Sequence, residues 1–228
     1  ANKKVRSKKY RVIKFFLLTV VIASILYVVL SAFGAVAVMS IPRRLVDTSP
    51  VSVGLVYEDV SFYSREGSIL MKGWFLPGNG KSVIMIVNGG FEDRVDSVAD
   101  TLHISRGLVQ NGYSVLLFDL RGRGESDGRG RSMSNIFSDL GGAFDYLKSR
   151  GYTANKVGIM GFCSGAASAC IFASRENVGA LVLDGCFTSI REMVVKQAEK
   201  RHIPAPITNF FSSGVQFGAE ILFKYKMI

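Results

Sequence analysis

An uninterrupted stretch of uncharged residues, Phe15 to Ile41, constrains this chain more than any other feature of its sequence. The stretch is 27 residues long, whereas about 20 apolar residues suffice for a helix to cross the hydrocarbon core of a bilayer. A buried core helix seldom stays uncharged over such a length. A cleaved signal peptide is the other alternative, because Ala35-Val36-Ala37 resembles a cleavage site, but the apolar region of a signal peptide spans only about 7–15 residues. The stretch therefore predicts one uncleaved transmembrane helix.

The charges on either side of the stretch predict its orientation. Seven of the 28 Lys and Arg residues lie in the first 14 positions, which contain no acidic residue. Only Arg43 and Arg44, offset by Asp47, follow the stretch closely. The positive-inside rule then predicts a cytoplasmic N-terminus and a globular part on the extracytoplasmic side, as in a single-pass protein of a bacterial inner membrane.

The charge distribution also bears on the partners of the chain. Residues 15–228 carry 21 basic against 18 acidic residues, so the net charge of +10 belongs mainly to the N-terminal tail. A nucleic-acid-binding domain is therefore not expected. The lipid bilayer is the expected partner.

The sequence beyond the apolar stretch alternates between strand-like and helix-like segments. We predict a basic tail (1–14), a transmembrane helix (15–41), a linker (42–55) and one α/β domain (56–228). The predicted strands are 56–63, 69–76, 82–87, 113–118, 156–161 and 178–183; the predicted helices are 95–110, 134–150, 164–174 and 190–201. Such alternation predicts a mostly parallel sheet with helices on both faces. The first two strands are expected to form an antiparallel hairpin.

One short motif points to chemistry. Gly161-Phe162-Cys163-Ser164-Gly165 joins a predicted buried strand to a predicted helix, with the spacing of the G-x-nucleophile-x-G elbow and cysteine in the central place. The glycines permit a tight turn, which brings the backbone N–H of Ser164 close to a developing oxyanion. One alternative is a packing turn in which Cys163 is a buried hydrophobic residue. Another makes Ser164 the nucleophile, but Gly165 would then be adjacent to it and Ala166 would hold the place of the second glycine.

Several segments, taken together, resemble the α/β-hydrolase superfamily. They are EDVSFYSREGSILMKGWFLPG (58–78), VIMIVNGGFEDR (83–94), VLLFDLRGRGESDG (115–128), KVGIMGFCSG (156–165) and LVLDGCFTSIREM (181–193). The resemblance is closest to the membrane-anchored, serine-aminopeptidase-like (Bem46-like) branch. It implies an α/β-hydrolase fold with an N-terminal β-hairpin. Its implied activity is hydrolysis of an ester, thioester or amide by covalent catalysis.

The resemblance also implies roles for individual residues. Cys163 would be the nucleophile, and the backbone N–H groups of Ser164 and of Gly90, or of Phe91, would form the oxyanion hole. Gly161 and Gly165 would be the elbow glycines.

Asp119 and Arg121 would brace the loop after their strand. Three positions depart from the family pattern: Asn88 and Arg123 stand where histidines are usual, and Cys163 replaces serine.

A fourth departure concerns the acid and the histidine of the catalytic triad, which in the family follow two further strands. The sequence ends at Ile228, so we expect the last two strands to be absent. Asp184 and His202 are the remaining candidates for acid and base, and His103 lies in an earlier helix. The alternative function is therefore a non-catalytic scaffold or accessory subunit of a membrane complex. In either case this 228-residue chain is expected to show little triad-dependent turnover.

The remaining expectations concern bound groups and surfaces. The three cysteines form no CxxC pair, and the glycine-rich segment 121–131 lacks the spacing of a phosphate-binding loop, so we expect neither a metal nor a cofactor. Cys170 is expected to be buried in the helix after the elbow. The strand at 178–183 is expected to be an apolar edge, covered by a protein partner, by a second copy or by the tail 205–228 folded back as a helix.

Overall fold

The structure, a computed structural model, describes residues 2–39, 43–89, 92–128, 133–187, 189–200 and 202–223. The chain divides into two units. The larger comprises residues 39–190 and 223–228, and the smaller comprises residues 1–38 and 191–222.

A six-stranded mixed sheet lies in the larger unit. Its strands are β1 (Glu58–Tyr63), β2 (Leu70–Leu76), β3 (Val83–Val87), β4 (Ser114–Phe118), β5 (Val157–Phe162) and β6 (Ala180–Asp184). The strand order is β1-β2-β4-β3-β5-β6. β2 pairs antiparallel with β1 and with β4, and the remaining pairs are parallel. The predicted hairpin and mostly parallel sheet are thus confirmed.

The central strands are short apolar runs, and this composition suits strands that are covered on both faces. Every residue of β4 is buried, and so is every residue of β3 except Ile84. The helices of this unit are α2 (Thr101–Gln110), α3 (Met133–Ser149) and α4 (Ser164–Ala173). They fall between the parallel strands along the chain, so each forms part of a crossover connection.

Helix α2 begins six residues later than the sequence pattern predicted. The carboxylate of Asp96 accepts hydrogen bonds from the backbone N–H groups of Val98 and Ala99, both at 2.9 Å. Asp100 then adopts a left-handed conformation with φ 54°. These local bonds compete with the helical ladder, so residues 95–100 are not helical despite their helical spacing, and residues 97–100 form a turn.

Strand β6 lies at the edge of the sheet, as predicted, and all five of its residues are exposed. Its apolar side chains reach solvent, and the described residues include no strand paired with its outer side.

The smaller unit is helical. It contains α1 (Asn2–Met39), α5 (Ile190–Lys200) and α6 (Ala205–Phe223). Within α1, the 28 residues Tyr10–Ala37 are long and apolar enough to cross a membrane. This segment can serve as a membrane anchor or as a signal sequence.

Helix α6 packs beside the second half of α1. The Tyr27 hydroxyl donates a hydrogen bond of 3.1 Å to the carbonyl oxygen of Phe210. The Tyr27 ring also contacts the rings of Phe210 and Phe211, with centroid distances of 4.9 and 5.6 Å. The segment that the sequence predicted as a tail helix is therefore helical, and it packs on α1.

Candidate active site

The G-x-nucleophile-x-G segment forms a sharp turn between β5 and α4. Cys163 joins the two elements with φ 50° and ψ −116°, a backbone conformation that non-glycine residues adopt only under strain. The backbone N–H of Cys163 donates a 2.7 Å hydrogen bond to the carbonyl oxygen of Asp184, at the end of neighbouring β6. The strained turn is thus held by the adjacent strand.

The two glycines of the turn are required by close backbone contacts. A Cβ on Gly161 would lie 2.6 Å from the Cα of Ala166, and a Cβ on Gly165 would lie 2.1 Å from the carbonyl oxygen of Val87. Both obstacles are backbone atoms, so neither can move aside cheaply. Only glycine fits at these positions.

Exposure separates the two candidate nucleophiles of the turn. Cys163 is exposed, whereas Ser164 is only 4% exposed and its carbonyl oxygen accepts a hydrogen bond from Ser168 Oγ. The geometry therefore favours the Cys163 thiol as the group that reaches a substrate.

Cys170 is exposed too, and the expectation that it would be buried was wrong. In α4 the run Ser164–Ala169 is buried, and Cys170 is where the helix first reaches the surface. Cys186 is likewise exposed.

The loop after β3 lies directly against this turn. A Cβ on Gly89 would lie 2.8 Å from the backbone nitrogen of Ser164 and 2.9 Å from the Cβ of Cys163. Two oxyanion-hole candidates, Gly90 and Phe91, come next in sequence and lie outside the described residues. The described part of the loop therefore reaches the nucleophile turn.

Arg123 holds this loop in place. It is 3% exposed, and its Nη1 donates to the carbonyl oxygens of Asn88, Gly89 and Glu92 at 3.4, 3.2 and 3.0 Å. The buried side chain of Asn88 adds a 2.9 Å bond from Nδ2 to the carbonyl oxygen of Asp93. The two residues that replace the expected histidines thus fasten the loop.

A buried ion pair between Arg94 and Asp119 stabilises the same region. Arg94, 1% exposed, contacts the fully buried Asp119 through its backbone N–H at 2.6 Å and through Nη2 at 2.6 Å. Its Nη2 also bonds Glu125 at 2.6 Å, and its guanidinium lies 4.7 Å from the centre of the Trp74 ring. A bracing role was predicted from the sequence for Asp119 but not for Arg94. The available signal was Asp119 itself, since a carboxylate at the end of a buried strand needs a cation.

Arg121, for which a bracing role was predicted, pairs with Asp139 of α3. Its Nη2 lies 2.6 Å from Asp139 Oδ1, and it also pairs with Glu66. Burial raises the pKa of Asp139, and the hydrogen bond from Arg121 opposes this shift.

The Asp93 carboxyl has a raised pKa. Burial raises its pKa to about 6, and the charges of Asp119 and Glu92 act in the same direction. The hydrogen bond that it accepts from the Val95 N–H, 2.7 Å long, acts against the shift. A carboxyl beside the loop therefore titrates close to neutral pH.

The candidate acid and base residues lie in different elements of the structure. His103 is exposed and its Nδ1 lies 2.7 Å from Asp100 Oδ1. His202 is an exposed residue of the smaller unit with φ 57°. The exposed Asp184 contacts the turn through its backbone oxygen. Among the residues that the structure describes, no side chain hydrogen-bonds to the Cys163 thiol, and no cluster of three His, Cys, Asp or Glu residues suits a metal ion.

Known proteins resemble this chain in sequence. Residues 78–222 match the family model described as "Serine aminopeptidase, S33". An uncharacterized protein of Mycobacterium tuberculosis is 33% identical over 141 residues, which cover 59% of this chain and 47% of that protein. A polyketide transferase of Aspergillus fumigatus is 27% identical over 65% of this chain and 50% of its own length. The chain thus spans about half the length of the curated relatives it matches.

Solved structures show the same fold. An esterase of Pyrococcus furiosus superimposes with a TM-score of 0.66 at 22% identity, over 79% of this chain and 69% of that chain. An α/β hydrolase of Vibrio vulnificus gives a TM-score of 0.58 at 24% identity, over 76% of this chain and 61% of that chain. These likenesses confirm the predicted fold.

Proposed function

Because this chain belongs to the serine aminopeptidase, S33 family of α/β hydrolases, we propose that it is a membrane-anchored hydrolase whose nucleophile is Cys163. The substrate class is a carboxylic ester, thioester or amide. The oxyanion hole is formed by the backbone N–H of Ser164 together with that of Gly90, or of Phe91.

One observation carries the proposal: an exposed cysteine occupies a strained turn at the N-terminus of α4, where a serine nucleophile would otherwise stand. Backbone strain of this kind persists only where surrounding structure imposes it, and it clusters at functional sites. The Asp184 carbonyl and the two elbow glycines impose it here. A packing turn would not require an exposed thiol.

The first half-reaction uses groups at this turn together with solvent water, which takes the thiol proton of Cys163. The thiolate of Cys163 attacks the carbonyl carbon of the substrate, and a carbon–sulfur bond forms as the carbonyl oxygen becomes an oxyanion. The N-terminus of α4 and the Ser164 N–H favour that negative charge. Collapse of the intermediate breaks the bond between the carbonyl carbon and its oxygen, sulfur or nitrogen substituent. The alcohol, thiol or amine leaves with a proton from water, and an acylated Cys163 remains.

The second half-reaction, hydrolysis of the acyl-cysteine, needs a base to activate water. His202 and Asp184 are the candidates from the chain itself, and residues of a longer protein are the other source. Acylation and turnover are therefore separate tests.

Membrane anchoring is the second part of the proposal. It is supported by the length and composition of Tyr10–Ala37 and by the basic residues that precede it. The charge asymmetry favours a cytoplasmic N-terminus, with the hydrolase unit on the other side of the membrane.

The test is acylation of the chain in detergent by p-nitrophenyl acetate, followed by mass mapping of the modified peptide. We expect a burst of p-nitrophenolate equal to one equivalent of chain, acetyl on Cys163, and slow turnover afterwards. The burst should vanish in Cys163→Ala.

Cys170 provides a matched control, because it is exposed and lies near the other end of the same helix. Negative charge is favoured at a helix N-terminus and disfavoured at its C-terminus, so Cys163 should acylate roughly tenfold faster than Cys170. Cys170→Ala should keep the burst. Equal rates at the two cysteines would instead support the alternative function, a non-catalytic scaffold.

A further inference from the structure

Helix α6 has the opposite distribution of apolar side chains from that expected for a helix at a protein surface in water. Its buried side is composed mainly of small or polar residues, Thr208, Ser212, Val215 and Ala219. Its exposed side carries large apolar residues, Ile207, Phe210, Phe217, Ile221 and Leu222, which are between 52% and 63% exposed. In water the hydrophobic effect favours the opposite arrangement.

The exposed side of α6 carries no charge. Glu220 is the one charged residue between Ala205 and Phe223. It is half-buried, and its carboxylate accepts a 3.1 Å hydrogen bond from Gln216 Nε2 on the same helix. The exposed face therefore has no charge that would oppose its transfer to an apolar medium, and its polar residues are the uncharged Asn209 and Ser213.

The contact between α6 and α1 uses small residues in a repeated spacing. A Cβ on Gly214 would lie 2.2 Å from Ser31 Oγ, and a Cβ on Gly218 would lie 3.1 Å from the Cβ of Ala35. Gly214 and Gly218 thus form a G-x-x-x-G pair facing the small residues Ser31 and Ala35, four positions apart. Small residues at this spacing let helix backbones approach closely within membranes, where apolar burial gives no driving force.

The register of the two helices places α6 at the depth of the anchor. The contacting pairs are Phe210 with Tyr27, Gly214 with Ser31 and Gly218 with Ala35. In each pair the two residues are 183 positions apart in the sequence. Because this separation is constant, the two helices run parallel. Their α1 partners all lie inside the apolar segment Tyr10–Ala37. Whatever medium surrounds that part of α1 therefore also surrounds α6.

We propose that α6 is a second membrane-embedded helix, packed on α1 through Gly214 and Gly218, with its Phe210, Phe217 and Ile221 side chains against lipid acyl chains. The inference rests on the proposed membrane anchoring by α1. Acyl chains are the occupant because the exposed side of α6 matches the exposed surface of the span, where Phe33 is 73% exposed.

Tryptophan quenching by brominated phosphatidylcholine in nanodiscs tests the proposal on the full chain. The one native tryptophan, Trp74, is 5% exposed in the sheet unit, so wild type supplies the background. Phe217→Trp should lose emission in brominated nanodiscs, by at least half as much as Phe16→Trp, a residue 65% exposed within the span. Tyr63→Trp, on the exposed surface of β1, should keep its emission.

The position of the bromines adds a depth measurement. Phe210 and Leu222 are 12 residues apart, which is about 18 Å along a helix. Phe210→Trp should be quenched best by bromines deep in the acyl chain, and Leu222→Trp best by bromines near the headgroup.

The outcomes separate this inference from the anchoring on which it rests. If Phe16→Trp is not quenched, membrane anchoring fails and the inference fails with it. Quenching of Phe16→Trp without quenching of Phe217→Trp overturns the inference alone. A blue-shifted Phe217→Trp emission that bromine leaves unchanged would mean that protein, such as a second copy of the chain, covers this face.

Discussion

At the scale of single residues, the candidate site depends on charges that are buried in pairs. Short hydrogen bonds stabilise two such ion pairs, Arg94–Asp119 and Arg121–Asp139. Asp93 differs, because burial dominates its environment and its pKa rises to about 6. A group whose pKa is higher in the folded state than in the unfolded state destabilises the fold once it ionises.

The Asp93→Asn variant tests this pH dependence. The ordinary pKa is 3.8 and the folded value is about 6, so the folded state binds the proton more tightly between these limits. The free energy of unfolding of wild type should therefore fall as the pH rises from about 4 to about 6, and stay lower above that range. Asparagine keeps the acceptor oxygen for the Val95 N–H and cannot ionise.

We expect Asp93→Asn to be more stable than wild type at pH 8 by on the order of 1–3 kcal/mol, and to equal it near pH 4. Thermal unfolding in detergent across this pH range measures the difference. Parallel pH profiles for the two proteins would contradict the raised pKa of Asp93.

At the scale of elements, the nucleophile turn depends on how closely β3, β5 and α4 approach one another. The Gly165 Cα lies against the carbonyl of Val87, the last residue of β3. Gly107 offers a matched position, because it lies within α2 and a Cβ there would meet no atom within 4 Å. The same substitution at the two sites should thus have opposite effects.

Gly165→Ala should destabilise the sheet unit by about 2–3 kcal/mol, the usual cost of forcing extra volume into a packed site, and should abolish the acylation burst. Gly107→Ala should stabilise it by about 0.5–1 kcal/mol, since alanine restricts the unfolded chain and favours the helix. The melting temperature and the burst amplitude of each variant, compared with those of wild type, test this prediction. A Gly165→Ala protein with an unchanged melting temperature would show that the turn is looser than described.

At the scale of the whole molecule, the exposed edge of the sheet is a surface without a described covering. Leu181, Val182 and Leu183 of β6 are 38%, 50% and 37% exposed, and β6 pairs only with β5 among the described strands. Unpaired backbone groups beside apolar side chains favour pairing with another chain. We propose that a protein partner or a second copy covers this edge.

The chain in detergent should therefore self-associate, and Val182→Lys should reduce the association, because lysine on an edge strand opposes edge-to-edge pairing. Val98→Lys is the matched control, since Val98 is 91% exposed and lies outside the sheet. Light scattering after size-exclusion chromatography measures the mass of each protein. A monodisperse wild-type monomer, or equal effects of the two lysines, would contradict association through β6.

The sequence alone determined the features that depend on near neighbours along the chain. Strand and helix periodicities, the uncharged run of α1 and the glycine spacing around Cys163 are all short-range patterns, and the structure reproduces the sheet and its helices from them. The boundary of α2 was predicted wrongly, because side-chain bonds of Asp96 outcompeted a helical spacing.

The tertiary structure alone decided which residues are buried and what they contact. Arg94 resembles any surface arginine in the sequence, yet it is buried against Asp119, 25 residues away. The sequence around Cys170 is typical of a core residue, yet Cys170 is exposed to solvent. The packing role of Gly214 and Gly218 is visible only in the tertiary structure, where Ser31 and Ala35 lie opposite them. The physical reason is that burial and pairing depend on atoms brought together from distant parts of the chain, and local spacing carries no information about them.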